Sequence, residues 1–408
     1  MTRQAERAYI RGVRLLHLSD LHLGFRQFQR TTQTGINQRE ADVAASFRQA
    51  IDMAIAVRPE LILIAGDVFH TVRPTNPAII HAFTQLQRLT QALPDTDVVM
   101  VAGNHDMPRS SETTCILRLF RPLGIHIVDT QPERITLRDG AISVLAVPDL
   151  PPHEIHYDQD PNARFNVLLV HGEVEDSIPR HTERVGLTIP RTVLDDPRWD
   201  YIALGDYHVY KKVGPKAFYS GAIDYTSSNP WGELAEETAQ KLPGKWMLEW
   251  DLETAKQKQH KIKLVREFHD MSPIEGRGMS SADLDAAIES AIAAVSGGID
   301  GKVIRLVARD VPRHIARELD HKKLREYQRS ALQFHLDMRR PEVLRREAGS
   351  GAPGRRPSLD ELLADHLRTR KLTSGIDREE MVRLGMHYLH EAEQAGVVRE
   401  APSTVEEG

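Results

Sequence analysis

Five short apolar runs punctuate the first half of the chain, at residues 13–18, 61–65, 98–102, 167–170 and 201–204. Each is four to six residues long and close to continuous, interrupted only by Arg14 and His17 in the first. Runs of this kind predict strands buried on both faces rather than half-exposed ones, whose pattern would alternate. Between the first two, Val43, Phe47, Ile51 and Ile55 recur every fourth position, which predicts a helix with one apolar face. Between the second and third, Asn76 reads as a cap and Pro77 as the first helical residue. The stripe beyond them is Ile79, Ile80, Phe83, Leu86 and Leu89. Strand, helix, strand, helix, strand predicts an α/β fold with a parallel sheet, whose loops gather at its carboxyl edge.

A polar cluster comes directly after each run. The clusters are Asp20-Leu21-His22, Gly66-Asp67, Gly103-Asn104-His105-Asp106, His171-Gly172 and Gly205-Asp206-Tyr207-His208. Any one of them occurs by chance in many chains, and a lone histidine is more often a satisfied polar residue than a ligand. As an ordered set they supply carboxylate, imidazole and carboxamide donors where strands end, the usual place for chemistry in α/β proteins. Two divalent ions about 3.5 to 4 Å apart need one shared carboxylate and further oxygen and nitrogen ligands on each side.

In order and spacing these clusters resemble the calcineurin-like metallophosphoesterases. They are closest to the DNA-repair branch, the SbcD-type nuclease subunits that partner an SMC-like ABC ATPase. The resemblance runs from about residue 13 to residue 397 and is most specific at Gly103-Asn104-His105-Asp106. It implies a metallophosphoesterase β-sandwich flanked by helices, with a small α+β capping domain and a C-terminal helical pair. Carried over by position, Asp20, His22 and His208 would bind one metal and Asn104, His171 and Asp206 the other, with Asp67 bridging. His105 would lie against the scissile phosphate and protonate or orient the leaving oxygen. The resemblance also implies two Mn²⁺ ions, with Mg²⁺ or Fe²⁺ as alternatives, DNA as substrate and a homodimer.

One position departs from the family pattern. Asp206 stands where an imidazole is usual, which makes the site more anionic and harder and favours Mn²⁺ or Mg²⁺ over Zn²⁺. The chemistry these residues can support is phosphodiester hydrolysis, since coordination lowers the pKa of water and the ions offset charge on phosphate oxygens. A general acid at His105 would contribute roughly 10²- to 10⁴-fold, against the plainer reading of a structural loop histidine. Next to the first cluster, Phe25, Arg26, Phe28, Arg30 and Arg39 mix aromatic and guanidinium groups as single-stranded nucleic acid requires. Arg26, Arg30 and Arg39 are therefore candidate DNA contacts. His70 and His126 stay unassigned, with a structural role the plainer reading of each, although His70 lies only three residues from Asp67.

Composition changes this picture little. The 408 residues, 40% hydrophobic and 27% charged, are ordinary for a soluble protein of two or three domains. The net charge of −5 does not argue against nucleic acid, because phosphate contacts depend on the local field. Two basic stretches, Lys256, Lys258, Lys261 and Lys263, then Arg313, Lys322, Lys323 and Arg325, suit either phosphate contact or a solvated face. Cys115 is the only cysteine and reads as a core thiol. The first twelve residues lack an apolar signal core and no apolar stretch reaches membrane-spanning length, so a cytoplasmic protein with no membrane association is expected.

Four segments are expected: residues 1–252 as the metallophosphoesterase domain, 253–342 as the capping domain, 343–357 as a Gly- and Pro-rich linker, and 358–397 as a helix pair. In the second, Val303, Ile304, Leu306 and Val307 predict a strand, and Leu284, Ile288, Ile292 and Val295 a helix beginning after Ser280. In the last, Ser358 with Glu361 and Asp377 with Glu380 have capping-box spacing. Their stripes, Leu359, Leu362, Leu363 and Leu367, then Met381, Leu384, Tyr388 and Leu389, are too small for an independent core. The resemblance implies that this pair grips the ATPase partner; folding back on the cap is the alternative. Two other classes stay open: a phosphatase or phosphodiesterase on a non-DNA substrate, and a non-catalytic DNA-binding scaffold in which Asp206 marks decay.

Overall fold

The computed structural model describes residues 12–108, 114–150, 155–175, 186–341, 359–369 and 377–399. All five apolar runs are strands. In chain order come β1 (Arg14–Leu18), α1 (Gln38–Val57), β2 (Leu61–Ala65), α2 (Asn76–Ala92), β3 (Asp97–Val101) and β4 (His126–Val128). Next are β5 (Glu133–Leu137), β6 (Ile142–Val147), β7 (Phe165–His171), the short β8 (Glu173–Val174) and β9 (Thr188–Ile189), and α3 (Arg191–Leu194). Then come β10 (Tyr201–Gly205), β11 (Lys211–Lys212), β12 (Ala217–Tyr219), α4 (Pro230–Ala239), β13 (Lys245–Asp251) and β14 (Lys256–Ile262).

These strands make two six-stranded sheets, ordered β14-β13-β1-β2-β3-β4 and β11-β12-β10-β7-β6-β5. The continuous apolar runs are explained by burial on both faces. Alternate residues of the first sheet, Leu15, Leu63, Val99 and Val101, meet Val144, Val167, Leu169 and Phe218 of the second, forming the middle of a sandwich. Their neighbours Leu16, Leu18, Ile62, Ile64 and Met100 face outward, under Val43, Phe47 and Ile51 of α1 and Leu86 and Leu89 of α2. Each such leucine or isoleucine contributes about 1.5 to 3 kcal/mol of transfer free energy. β1, β2 and β3 run parallel in adjacent register, so their carboxyl ends align; β7 and β10 do the same in the second sheet.

Two expectations shift. The cap of α2 is Thr75, whose hydroxyl accepts from Ala78 N–H at 3.2 Å, so Asn76 is already helical. The first sheet runs on past the boundary expected at residue 252 to Ile262, because β14 pairs with β13 along its whole length. Beyond Ile262 the chain builds a small α+β fold: β15 (Phe268–Asp270), β16 (Ile274–Glu275), α5 (Ser281–Ala293), β17 (Val303–Arg309), α6 (Arg313–Arg317), α7 (His321–Ser330) and β18 (Gln333–Met338). β17 is central and parallel to β15, β16 and β18. Leu284, Ile288, Ile304, Leu306 and Phe334 fill the core between sheet and helices. Ser280 caps α5 in a reciprocal capping box with Asp283.

The chain divides into two units, the first ending at Pro341. In the second, α8 (Leu359–Thr369) packs on α9 (Arg378–Arg399). Gly385 allows the close approach: a Cβ there would fall 2.5 Å from Leu367 Cδ1. Asp377 caps α9, accepting from Glu379 and Glu380 N–H at 2.8 and 3.1 Å. Of the expected α9 stripe, Met381 and Leu389 are half-buried, while Leu384 and Tyr388 point away from the pair, 46% and 61% exposed. The expected linker and Ser358 lie outside the described residues. Among the described residues, no helix is long and apolar enough to cross a membrane.

Candidate metal centre

The loops after β1 and β2 are fastened to one another by main-chain bonds. Asp20 N–H donates to Gly66 O at 3.0 Å, His22 N–H to Asp67 O at 2.9 Å and Leu23 N–H to Val68 O at 2.9 Å. Asp106 secures the loop after β3, its buried carboxylate accepting from Val68, Phe69 and Gly103 N–H at 3.1, 3.0 and 3.1 Å. Asp20, His22 and Asp67 hold φ of 52°, 44° and 51°, and Asp206 holds 106°. Side-chain-bearing residues seldom adopt such values, and they persist where surrounding contacts over-determine them. Two glycines admit the close approach of loops. A Cβ on Gly103 would lie 2.2 Å from Asp67 Oδ1, and one on Gly205 would lie 1.7 Å from Ala65 O.

The result brings all seven expected ligand residues together. His22 Nε2 is 3.0 Å from His208 Nε2 and 3.6 Å from Asp67 Oδ2. His171 Nε2 is 3.1 Å from Asn104 Oδ1, 3.5 Å from Asp206 Oδ1 and 3.7 Å from Asp67 Oδ1. Asp67 thus turns one oxygen to each half of the set. Asp20 lies between, its carboxylate accepting from Asp206 N–H at 3.1 and 3.3 Å. Donor atoms of Asp20, His22 and His208 fall within 4.8 Å of one another, as do those of Asp20, Asp67 and His171.

The tautomer of His171 suits this donor set to cations. His171 Nδ1 is 2.8 Å from Ala65 O, a pure acceptor, so Nδ1 carries the hydrogen. In the neutral ring Nε2 is then a lone pair facing three acceptor oxygens. A bound cation or a second proton satisfies that arrangement. The electrostatics agree: burial opposes charge on His171, yet Asp67, Asp206 and Asp20 raise its pKa well above the ordinary value. Burial pushes the Asp20 carboxyl up to about 6. His22 is held well below the usual imidazole value by burial and then by His208, His105 and His70, so it stays neutral and ligand-competent.

His105 sits beside this cluster. Its N–H donates to Asp67 Oδ1 at 2.9 Å, and its Nδ1 donates to His70 O at 2.6 Å, which leaves Nε2 for the site. His70, which the sequence leaves unassigned, belongs to the centre. Its Nδ1 is 3.3 Å from His22 Nδ1, and its ring stacks on His105 at 5.2 Å. Its position three residues after Asp67 is the sequence signal that points to it. Glu233 and Lys245 carry no such signal. Lys245 is 2% exposed, contacts Glu233 closely, and lies 2.9 Å from Glu237 and 3.1 Å from His208 O.

The loop residues expected to touch DNA are otherwise engaged. Arg39 is a correction: its side chain is fully buried, bonded to Asp42 at 3.1 Å, Asp224 at 2.6 Å and Tyr225 O at 3.0 Å, and so has no free guanidinium face. Phe25 is buried at 5% exposure and offers no stacking surface. Arg26 is half-exposed and pairs with Glu40 at 2.7 Å. Arg30 donates to the carbonyls ending α7, Gln328 at 3.4 Å, Ala331 at 3.1 Å and Arg329.

This donor set sits on a two-sheet α/β sandwich, and residues 13–210 match the Calcineurin-like phosphoesterase family. Residues 13–210 are thus similar to a calcineurin-like phosphoesterase domain, a match that covers just under half of the chain. More narrowly, the chain is similar to proteins named "DNA double-strand break repair protein Mre11". That of Sulfolobus acidocaldarius is 30% identical over 174 residues, 41% of this chain and 43% of the relative. That of Methanocaldococcus jannaschii is 26% identical over 52% of this chain and 55% of the relative. For Methanococcus maripaludis the figures are 26%, 59% and 63%. The chain thus spans about half the length of the curated relatives it matches.

Proposed function

We propose that this chain is a two-metal DNA nuclease, Mn²⁺-dependent, and the nuclease subunit of an SbcCD-like repair or processing complex. The observation that carries the metal part is His171 Nε2, turned by the Nδ1 bond to Ala65 O toward three acceptor oxygens, an arrangement that a cation completes. Asp20, His22 and His208 would hold one ion, Asn104, His171 and Asp206 the other, with Asp67 between. When bound, the ions lower the pKa of water and offset charge on the phosphate oxygens. The protein's own part is positional. Asp106 and the glycines fix the loops, and the Nδ1–H bond to His70 O turns His105 Nε2 toward the site, where it would give a proton to the leaving oxygen only from the doubly protonated ring. The break-repair relatives support DNA as the substrate. The outward face of α9, with Leu384 and Tyr388, supports a helical docking site for an SMC-like ABC ATPase. A homodimer and a cytoplasmic setting rest on the resemblance and on the sequence alone.

A phosphatase acting on a non-DNA substrate is the second reading, favoured by the engagement of Arg39 and Arg30 within the fold. The test is hydrolysis of labelled single-stranded DNA and of a small phosphodiester by the purified chain with Mn²⁺, beside His105→Ala. DNA cleavage that requires Mn²⁺ and falls at least about 100-fold in the variant is expected. Hydrolysis of the small ester alone would sink the nuclease assignment. Inactivity on both with metal bound would favour the scaffold.

A further inference from the structure

The metal centre has one ligand whose orientation the loops do not explain. His171 is fixed through Nδ1 by Ala65 O and His105 by His70 O. His208 directs Nε2 at His22 Nε2, but its Nδ1, on the far side of the ring, has no hydrogen-bond partner among the described residues. Facing that nitrogen at 3.7 Å is Glu233 Oε1, from the first turn of α4. The carboxylate is 7% exposed and is itself held: its other oxygen contacts Lys245 Nζ, and Ser227 Oγ donates to Oε1. We infer that Glu233 is the positioning residue of the first metal site: it takes the Nδ1 hydrogen of His208 and so keeps Nε2 as the lone pair that ligates.

The inference rests on the metal-centre reading above and names what aims one of its ligands. A ligating imidazole needs its second nitrogen bonded to a carboxylate, carbonyl or water, which sets tautomer, ring angle and basicity. A ring rotation or shift of about 0.8 Å closes the gap to hydrogen-bond distance. The carboxylate is ready to accept. Its other oxygen is engaged by the Lys245 ammonium, which leaves Oε1 turned to the ring. Lys245 has a further effect. Bonded to Glu233, to Glu237 and to His208 O, it ties α4 and β13 to the ligand loop, so the acceptor cannot drift from the ring.

The experiment titrates the full chain with Mn²⁺ by calorimetry, with Mn²⁺ electron paramagnetic resonance counting bound ions. Wild type, Glu233→Gln, Glu237→Gln and the double variant Glu233→Gln/Lys245→Met are compared. Glu233→Gln keeps Lys245 paired to Glu237 and is expected to fold. It should weaken one of the two ions about 10- to 100-fold and leave the other within about threefold. The double variant should show the same selective loss, and Glu237→Gln should resemble wild type. Unchanged affinity in Glu233→Gln, equal weakening of both ions, or recovery in the double variant would each overturn the inference, the last by showing that Glu233 acts only through Lys245. Since the readout is ion binding, a wild-type chain that binds two ions yet leaves DNA intact defeats the nuclease reading alone. A chain that binds none defeats both.

Discussion

His17 interrupts the first apolar run and is fully buried between the sheets, its Nδ1 3.0 Å from Tyr201 OH and its Nε2 3.2 Å from Leu204 O. The tyrosine hydroxyl donates to Nδ1 and Nε2–H donates to the carbonyl, which satisfies the neutral ring and leaves no place for a second proton. Burial accordingly lowers its pKa from 6.5 to about 3. Between those values the unfolded chain binds a proton that the folded chain refuses, so stability rises with pH across that window and is lost on acidification. Urea unfolding at pH 4 and pH 7 should show this dependence, and His17→Gln should flatten it. A second prediction concerns Gly205→Ala, whose Cβ would strike Ala65 O. It should cost more than the roughly 1 to 3 kcal/mol typical of overpacking, seen as loss of the folded state or a large fall in melting temperature. A third concerns Asp206→His, which exchanges a hard oxygen for an imidazole. Competition titration should show Zn²⁺ gaining on Mn²⁺ relative to wild type.

At the scale of elements, the strands are legible in the sequence because burial on both faces leaves an unbroken apolar run, a pattern few other structures produce. Helix α1 is legible from its period, whereas the cap of α2 is displaced by one residue because Thr75 and Asn76 are both competent caps and only the backbone decides between them. The ligand loops read as chemistry because each closely follows a strand. Arg39 and Phe25 mislead because charge and aromaticity carry no mark of burial; Asp224 and Phe268, the partners of Arg39, lie far along the chain. Glu233 is invisible for the same reason, its meaning depending on a histidine brought alongside by α4. The exposed face of α9 yields an element-scale prediction. Leu384→Asp with Tyr388→Asp should weaken binding of the proposed SMC-like ATPase partner at least about tenfold in a pull-down titration, while the helicity of the pair stays near wild type, since both side chains are largely exposed.

At the scale of the molecule, the small α+β fold beyond Ile262 is joined to the two-sheet sandwich by an ionic chain centred on the buried Asp42 and Arg39. Arg266 donates to both oxygens of Asp42 at 3.0 Å, Asp42 accepts from Arg39, and Arg39 reaches Asp224. Removing Asp42 would leave the buried Arg39 guanidinium with one fewer carboxylate. Asp42→Ala should therefore cost about 3 to 5 kcal/mol in chemical denaturation, more than the loss of an exposed pair such as Arg88 with Asp52.

The order of strands in the first sheet sets a schedule for synthesis. β1 is the first strand of that sheet to be made and has a neighbour on each side, yet one of them, β13, is made only after the entire second sheet. On the ribosome, every ligand residue through His208 has emerged while one edge of β1 still lacks its antiparallel partner. Unpaired strand edges are the surfaces by which nascent chains associate wrongly. Cations in the cell can therefore meet a complete set of ligands on an incomplete scaffold, and the arrival of Lys245 with β13 closes the sheet and anchors Glu233 behind His208 in the same step.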